Sequence, residues 1–259
     1  MHSVLVVTAV DAERDAVRGA VQGAVRSALP GAADGGPHVI AGGVGPAAAA
    51  ASTATALARA GRPYDLVVSA GIGGGFRPDV PLVVAERIIA ADLGAQTPDG
   101  FVPVTGLGFG TDVHVPRPEL VRAVARTTGA VPGDVLTVST VTGTAERAAE
   151  LRARHPRAAA EAMEGFGVAE AAAAHGTPVL ELRAVSNPVG PRDRAAWRIP
   201  EALTALGDAF RALVQTGVPP WAEDLSTAPS ASPTPPARTT PSSSTPGPTD
   251  GSRTRPRSM

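Results

Sequence analysis

Two glutamates, an asparagine and two clusters of glycine are the parts of this sequence whose types and positions could do chemistry. Glu13 stands in "TAVDAER", directly after an apolar run, and Glu164 stands in "EAMEGFGVAEAAAAHG" between Met163 and Phe166. Asn187 stands in "LELRAVSNPVGPRD", where a strand gives way to a proline-broken loop at Ser186-Asn187-Pro188. A glutamate can take up or release a proton. An asparagine is neither acid nor base at neutral pH, but it presents a donor and an acceptor side by side. Polar residues at the carboxyl ends of buried strands are where open α/β sheets keep their ligands. Each residue also has a plainer reading. Glu13 suits a first helical turn, where the dipole favours an acid; Glu164 suits a solvated helix start; Asn187 suits a turn before Pro188.

The glycines divide into "AGGVGPAA" (Ala41–Ala48) and "SAGIGGGF" (Ser69–Phe76). The first contains Gly43-x-Gly45-x-x-Ala48, which formally satisfies a dinucleotide-binding fingerprint. The acid that should end the next strand is missing, because Asp65 begins that strand and Ser69-Ala70-Gly71 ends it. The second cluster implies backbone that approaches another group closely, or a tight structural turn.

The elements that must position these residues are short β-branched runs alternating with alanine-rich segments. Strands are expected at Val4–Val10, His38–Ala41, Asp65–Ala70, Leu82–Ala90, Asp134–Ser139 and Val179–Val185. Helices are expected at Ala12–Leu29, Ala47–Ala60, Pro118–Thr127, Thr144–His155, Glu164–His175 and Pro200–Thr216. Continuously apolar strands imply helices on both faces, hence an α/β fold: a three-layer α/β/α single domain around a central mixed, mostly parallel sheet. It is expected to span residues 1–221. From Ala222 to the end, residues 222–259, the sequence is Ser, Thr, Pro and Gly with few apolar side chains, the composition of a disordered tail.

Composition removes several classes of function. There is no cysteine, hence no disulfide, thiol nucleophile or thiolate metal site. There is no lysine, so Schiff-base lysine chemistry and a Walker phosphate loop are excluded. The net charge of −1 and the mixing of acids with bases leave no nucleic-acid footprint. The apolar run Val4–Val10 is too short to span a membrane and has no basic leader, so a cytoplasmic location is expected.

"TAVDAER", "SAGIGGGF", "AEAMEGFGVAEAA" and "RAVSNPVGPRDRAAW" together resemble the purine nucleosidase and phosphorylase superfamily, and within it the futalosine hydrolase branch of menaquinone biosynthesis. The similarity runs from about Val4 to Val214. It implies an N-glycosyl hydrolase that needs no metal or organic cofactor, takes a nucleoside as its partner and assembles as a homodimer or larger. By the same resemblance Glu13 activates the attacking water, Glu164 holds the ribose hydroxyls with Met163 against the sugar, and Arg183 orients water. Gly71, Ile72, Gly73, Thr142, Phe166 and Ser186 are the further substrate contacts implied. Methylthioadenosine nucleosidases carry serine where Ile72 stands and aspartate where Asn187 stands.

The second departure has a chemical reading. Adenine presents N6 as donor beside N7 as acceptor, whereas a 6-oxopurine presents two acceptors, O6 and N7. Once N7 is protonated, an asparagine amide can donate to O6 and accept from N7–H. Asn187 is therefore expected to stabilise departing hypoxanthine without donating a proton. A nucleoside phosphorylase of the same fold and a non-enzymatic purine-binding module are the competing expectations.

Overall fold

The computed structural model describes residues 3–28, 36–77 and 79–216. The expected tail over 222–259 lies outside the described residues, as does Leu29. Among the described residues, ten strands and six α-helices follow one another as β1 (Val4–Thr8), α1 (Asp11–Ala28), β2 (His38–Ala41), α2 (Pro46–Ala58), β3 (Leu66–Gly75), β4 (Leu82–Ala90), β5 (Gly94–Thr97), β6 (Gly100–Pro103), β7 (Val113–His114), α3 (Pro118–Thr128), β8 (Val131–Thr137), α4 (Ala145–Arg154), β9 (Ala158–Ala162), α5 (Gly165–Ala174), β10 (Val179–Pro188) and α6 (Ile199–Gln215).

An 8-stranded mixed sheet carries the domain in the order β10-β4-β8-β9-β3-β1-β2, with β7 on β4. Its pairings are mostly parallel; β10–β4, β3–β9 and β4–β7 are antiparallel. Because β3 also pairs with β10, the sheet curls back on itself through β3, β10, β4, β8 and β9. β5 and β6 form a separate hairpin.

Alternation along β1 shows why the strands read as unbroken apolar runs. Val4 and Val6 face the cluster built on Val17 and Val21 of α1 and Leu206 and Phe210 of α6. Leu5 and Val7 face the opposite way, onto Ala49 of α2 and Val168 and Ala172 of α5. With both faces covered, polar alternation disappears. Burying one Leu side chain such as Leu5 fully stabilises the fold by about 1.5–3 kcal/mol. α1 and α6 each bury a stripe at i, i+4, i+7, i+8 and i+11: positions 13, 17, 20, 21 and 24 in one, 202, 206, 209, 210 and 213 in the other. In α1 the first member of that apolar stripe is Glu13.

The principal departure from expectation is β3. The sequence suggests a strand ending at Ala70 and a glycine loop after it, but the strand runs to Gly75. None of Gly71, Gly73, Gly74 and Gly75 has a positive φ. They are glycines for want of space: a Cβ on Gly73 would lie 2.7 Å from the Glu161 carbonyl oxygen, and one on Gly75 2.7 Å from Val185 Cγ1. The first cluster is the reverse case, with Gly43 and Gly45 at φ 94 and 90, a conformation L side chains rarely adopt. β10 likewise outruns its expected end at Val185 and continues to Pro188. β5, β6, β7 and β9 have no counterpart in the sequence reading, and β8 starts three residues early at Val131 and stops at Thr137 rather than Ser139.

Candidate active site

Glu13 is 3% exposed although it sits at the start of a helix, because its carboxylate turns inward across the end of β1. Oε2 accepts from the backbone N–H of Ala9 at 2.9 Å and of Val10 at 3.3 Å, and Oε1 accepts from Ile72 N–H at 2.9 Å. Backbone donors from the end of β1 and from within β3 thus hold one carboxylate in a fixed orientation. Its lone pairs are not exhausted, since a carboxylate offers about four acceptor directions.

β10 lies beside β3 in parallel register, Glu181 against Ser69 and Arg183 against Gly71. Residues two apart on a strand share a face, so Glu181, Arg183 and the residues opposite them form one polar patch. Arg183 is 1% exposed. Its Nε donates to Glu181 Oε1 at 2.9 Å, its Nη2 donates to Ser69 Oγ at 2.9 Å, and its Nη1 lies 3.2 Å from Glu164 Oε2. Burial pulls the guanidinium down, but Glu181, Glu164 and Glu13 together outweigh it and hold Arg183 above its ordinary value. For Glu181 burial dominates and pushes the carboxyl up, against the pull of Arg183. Its Oε2 has no hydrogen-bond partner.

Glu164 caps the start of α5 and reaches back to the first glycine cluster. Oε1 accepts from Gly45 N–H at 3.2 Å and Oε2 from Met163 N–H at 3.3 Å. The Gly43–Ala48 segment therefore holds the Glu164 carboxylate through Gly45. Gly71 lies where these groups meet: a Cβ there would stand 2.7 Å from both Arg183 Nη1 and Glu13 Oε1.

Next to this charged cluster is a cavity of about 160 Å³, lined among others by Ile72, Gly73, Thr142, Met163, Ser186 and Asn187. A cavity of roughly 150 Å³ accommodates an aromatic ring. The register of β10 on β3 slips between Val185 and Asn187, a β-bulge that re-aims the end of the strand. Asn187 Nδ2 donates to Pro188 O at 2.9 Å, and Ser186 Oγ lies 2.9 Å from Asn187 Oδ1 and 3.3 Å from Gly73 O. These contacts fix which way the amide faces and leave it one N–H and one lone pair.

Of the residues singled out in the sequence, Glu13, Gly71, Glu164 and Arg183 come together in the charged cluster, and Ile72, Gly73, Thr142, Met163, Ser186 and Asn187 line the adjoining cavity. Phe166 joins neither: its ring is buried in the core, 5.2 Å from that of His114, and its N–H donates to Thr137 Oγ1. Trp197 lines the cavity with Arg192 5.4 Å from its ring centroid, while Phe109 is 68% exposed. A wider hollow of about 470 Å³ opens along α2 beside His38 and Tyr64, away from every carboxylate described above. Among the described residues no group of three or more His, Cys, Asp or Glu is placed to hold a metal ion, and no helix is long and apolar enough to cross a membrane.

Sequence reasoning missed Glu181, Ser69 and Glu161. The signals were present: "ELR" puts an acid two residues before Arg183 on one strand face, and "EAM" puts Glu161 two residues before Met163. Gly165 depends on the first of these, because a Cβ there would stand 2.2 Å from both Glu181 carboxylate oxygens. Glu181 is wholly buried and tied to Arg183, so it cannot swing aside. Gly165→Ala is expected to destabilise the domain by about 1–3 kcal/mol, the usual range for overpacking. Thermal melting measures this, and an unchanged midpoint would mean that Glu181 has room to move.

The chain belongs to the phosphorylase superfamily, whose family model matches residues 9–216. The futalosine hydrolase of Streptomyces coelicolor is 74% identical over 177 residues, covering 66% of this chain and 75% of that protein. The futalosine hydrolase of Acidothermus cellulolyticus is 48% identical over 182 residues, covering 68% and 74%. Within the superfamily the sequence thus groups with the futalosine hydrolases. In fold it is similar to the native structure of futalosine hydrolase of Helicobacter pylori, with a TM-score of 0.66 at 17% identity, covering 83% of this chain and 98% of that one.

Proposed function

We propose that the protein hydrolyses the N-glycosidic bond of futalosine, releasing hypoxanthine and dehypoxanthine futalosine, as a step of menaquinone biosynthesis. The observation that carries this reading is the meeting of Glu13, Arg183 and Glu164 around Gly71, next to a ring-sized cavity that Asn187 lines. Glu13 serves as general base, taking the proton of a water that attacks C1′ as the C1′–N9 bond breaks. Arg183 orients that water. Glu164 binds the ribose hydroxyls, and Met163 packs on the sugar. Ile72, Gly73, Thr142 and Ser186 lie along the base. The C1′–N9 bonding pair moves into the purine, which takes a proton at N7 from solvent, and Asn187 donates to O6 and accepts from N7–H. Arg192 and Arg194, 5.4 and 5.9 Å from the centroid of the Trp197 ring, are suited to the carboxylate of the 5′ extension.

The catalytic unit is taken to be residues 1–221, working in the cytoplasm as a homodimer or larger assembly. Leu107–His114, which includes the exposed Phe109, is suited to completing a neighbour's 5′ pocket. Chromatography of futalosine, inosine and methylthioadenosine reactions, each with and without phosphate, tests the reading. Phosphate-dependent release of base would make the protein a phosphorylase.

Asn187→Asp tests the base contact. A carboxylate cannot donate to O6, whereas its acid form can serve both N6 and N7 of a 6-aminopurine. One base contact is worth about 1–3 kcal/mol, so kcat/KM for futalosine relative to aminodeoxyfutalosine is expected to fall by at least about tenfold. Activity on the amino substrate should fall as pH rises past the introduced aspartate's pKa. Equal losses on both substrates would mean that Asn187 only shapes the loop.

A further inference from the structure

We propose that Glu161 reads the N1–H of a 6-oxopurine and, with Asn187, sets which base the cavity accepts. The inference rests on the nucleosidase reading above and adds to it a second base-reading residue. Glu161 is 4% exposed and lines the same cavity as Asn187. Thr142 holds it from one side: the Thr142 N–H donates to Oε1 at 2.9 Å, and its hydroxyl donates to Oε2. Each oxygen keeps a lone pair free. Among the described residues no arginine forms an ion pair with it. Burial accordingly pushes the carboxyl up, while the two Thr142 donors oppose that shift.

A carboxylate buried without a counter-ion is costly unless donors surround it, and Thr142 supplies only two. The edge of a 6-oxopurine presents N7, O6 and N1–H in that order. With Asn187 on N7 and O6, the next group along the edge is a donor, and Glu161 is an acceptor of the cavity wall able to take it. Adenine places a lone pair at N1 instead, which a carboxylate repels. Discrimination between oxo and amino purines is thus made twice, on both sides of position 6.

Titration calorimetry of the full chain with hypoxanthine, 1-methylhypoxanthine and adenine tests this. Wild type should bind hypoxanthine about 10- to 100-fold more tightly than 1-methylhypoxanthine, the range of a hydrogen bond to a charged group. Glu161→Gln, similar in size, should erase most of that preference and move the hypoxanthine-to-adenine ratio at least about tenfold toward adenine. Asn187→Asp should leave the N1-methyl penalty in place. Equal binding of hypoxanthine and its 1-methyl form by wild type overturns the proposal, whether or not the Glu161 variant folds. So does a folded Glu161→Gln protein with the wild-type ratios. If wild type prefers hypoxanthine over its 1-methyl form yet leaves futalosine intact, the role of Glu161 stands and the substrate assignment fails. If futalosine is turned over with no N1 preference, the substrate assignment stands and the role of Glu161 fails. Failure to bind hypoxanthine at all overturns both.

Discussion

Glu13→Gln is expected to lower kcat by about 10²–10⁴-fold, the usual contribution of a general base, while the protein remains folded and binds substrate. The substitution keeps the size of the side chain. It removes the ability to accept a proton and replaces one acceptor oxygen by an amide donor. Ala9, Val10 and Ile72 all donate to this carboxylate, so the amide NH2 must face an N–H on one side. That mismatch costs roughly 1–3 kcal/mol of stability, a loss that leaves a domain of ordinary stability folded. Steady-state kinetics with a melting curve on the same sample separates the two effects. A variant keeping more than half of the wild-type kcat would reduce Glu13 to a helix-start residue that fastens β1 to β3.

Arg183→Leu should be the most destabilising single change in the site. It leaves the Glu181 and Glu164 carboxylates buried without their counter-ion. Breaking a buried pair by removing one partner costs about 3–5 kcal/mol. At about 2–4 °C per kcal/mol for a domain of this size, the midpoint should fall by roughly 6–20 °C. The pH dependence carries a sign. Burial raises the folded-state pKa of Glu181 above its ordinary value, so the stability linked to this group is fully present below the ordinary carboxylate range and is lost as pH rises through the raised value. Without Arg183 the group is raised further, so the deficit of the variant should shrink on acidification. Replacing Glu181 by leucine in the same chain should restore part of the lost stability, because an apolar pair avoids the desolvation of both charges. Calorimetry of the wild type and the two variants across acidic and neutral pH checks this. An Arg183→Leu protein melting with the wild type at neutral pH would show that the carboxylates carry protons throughout and need no guanidinium.

What the sequence determined by itself was local. His38–Ala41 and Leu82–Ala90 have the expected bounds, and each expected helix ends within two residues of its observed end, because apolar periodicity, prolines at helix starts and the composition of single runs act over a few residues. Glu13 and Asn187 were conspicuous for a related reason, as polar groups at the ends of apolar strands. What only the tertiary structure decided was anything set by a neighbour distant in sequence. The glycines of β3 continue a strand because β10, Glu13 and Glu161 crowd them, and no local signal distinguishes a glycine required for space from one required for a turn. Ser69 joined Arg183 and Glu181 only when β10 paired with β3 in one register. Phe166, beside Glu164 in the sequence, went to the core because the first turn of α5 points successive side chains in different directions. Pairing between strands 100 or more residues apart fixes these choices, and a single strand carries no record of which partner, or which register, it will meet.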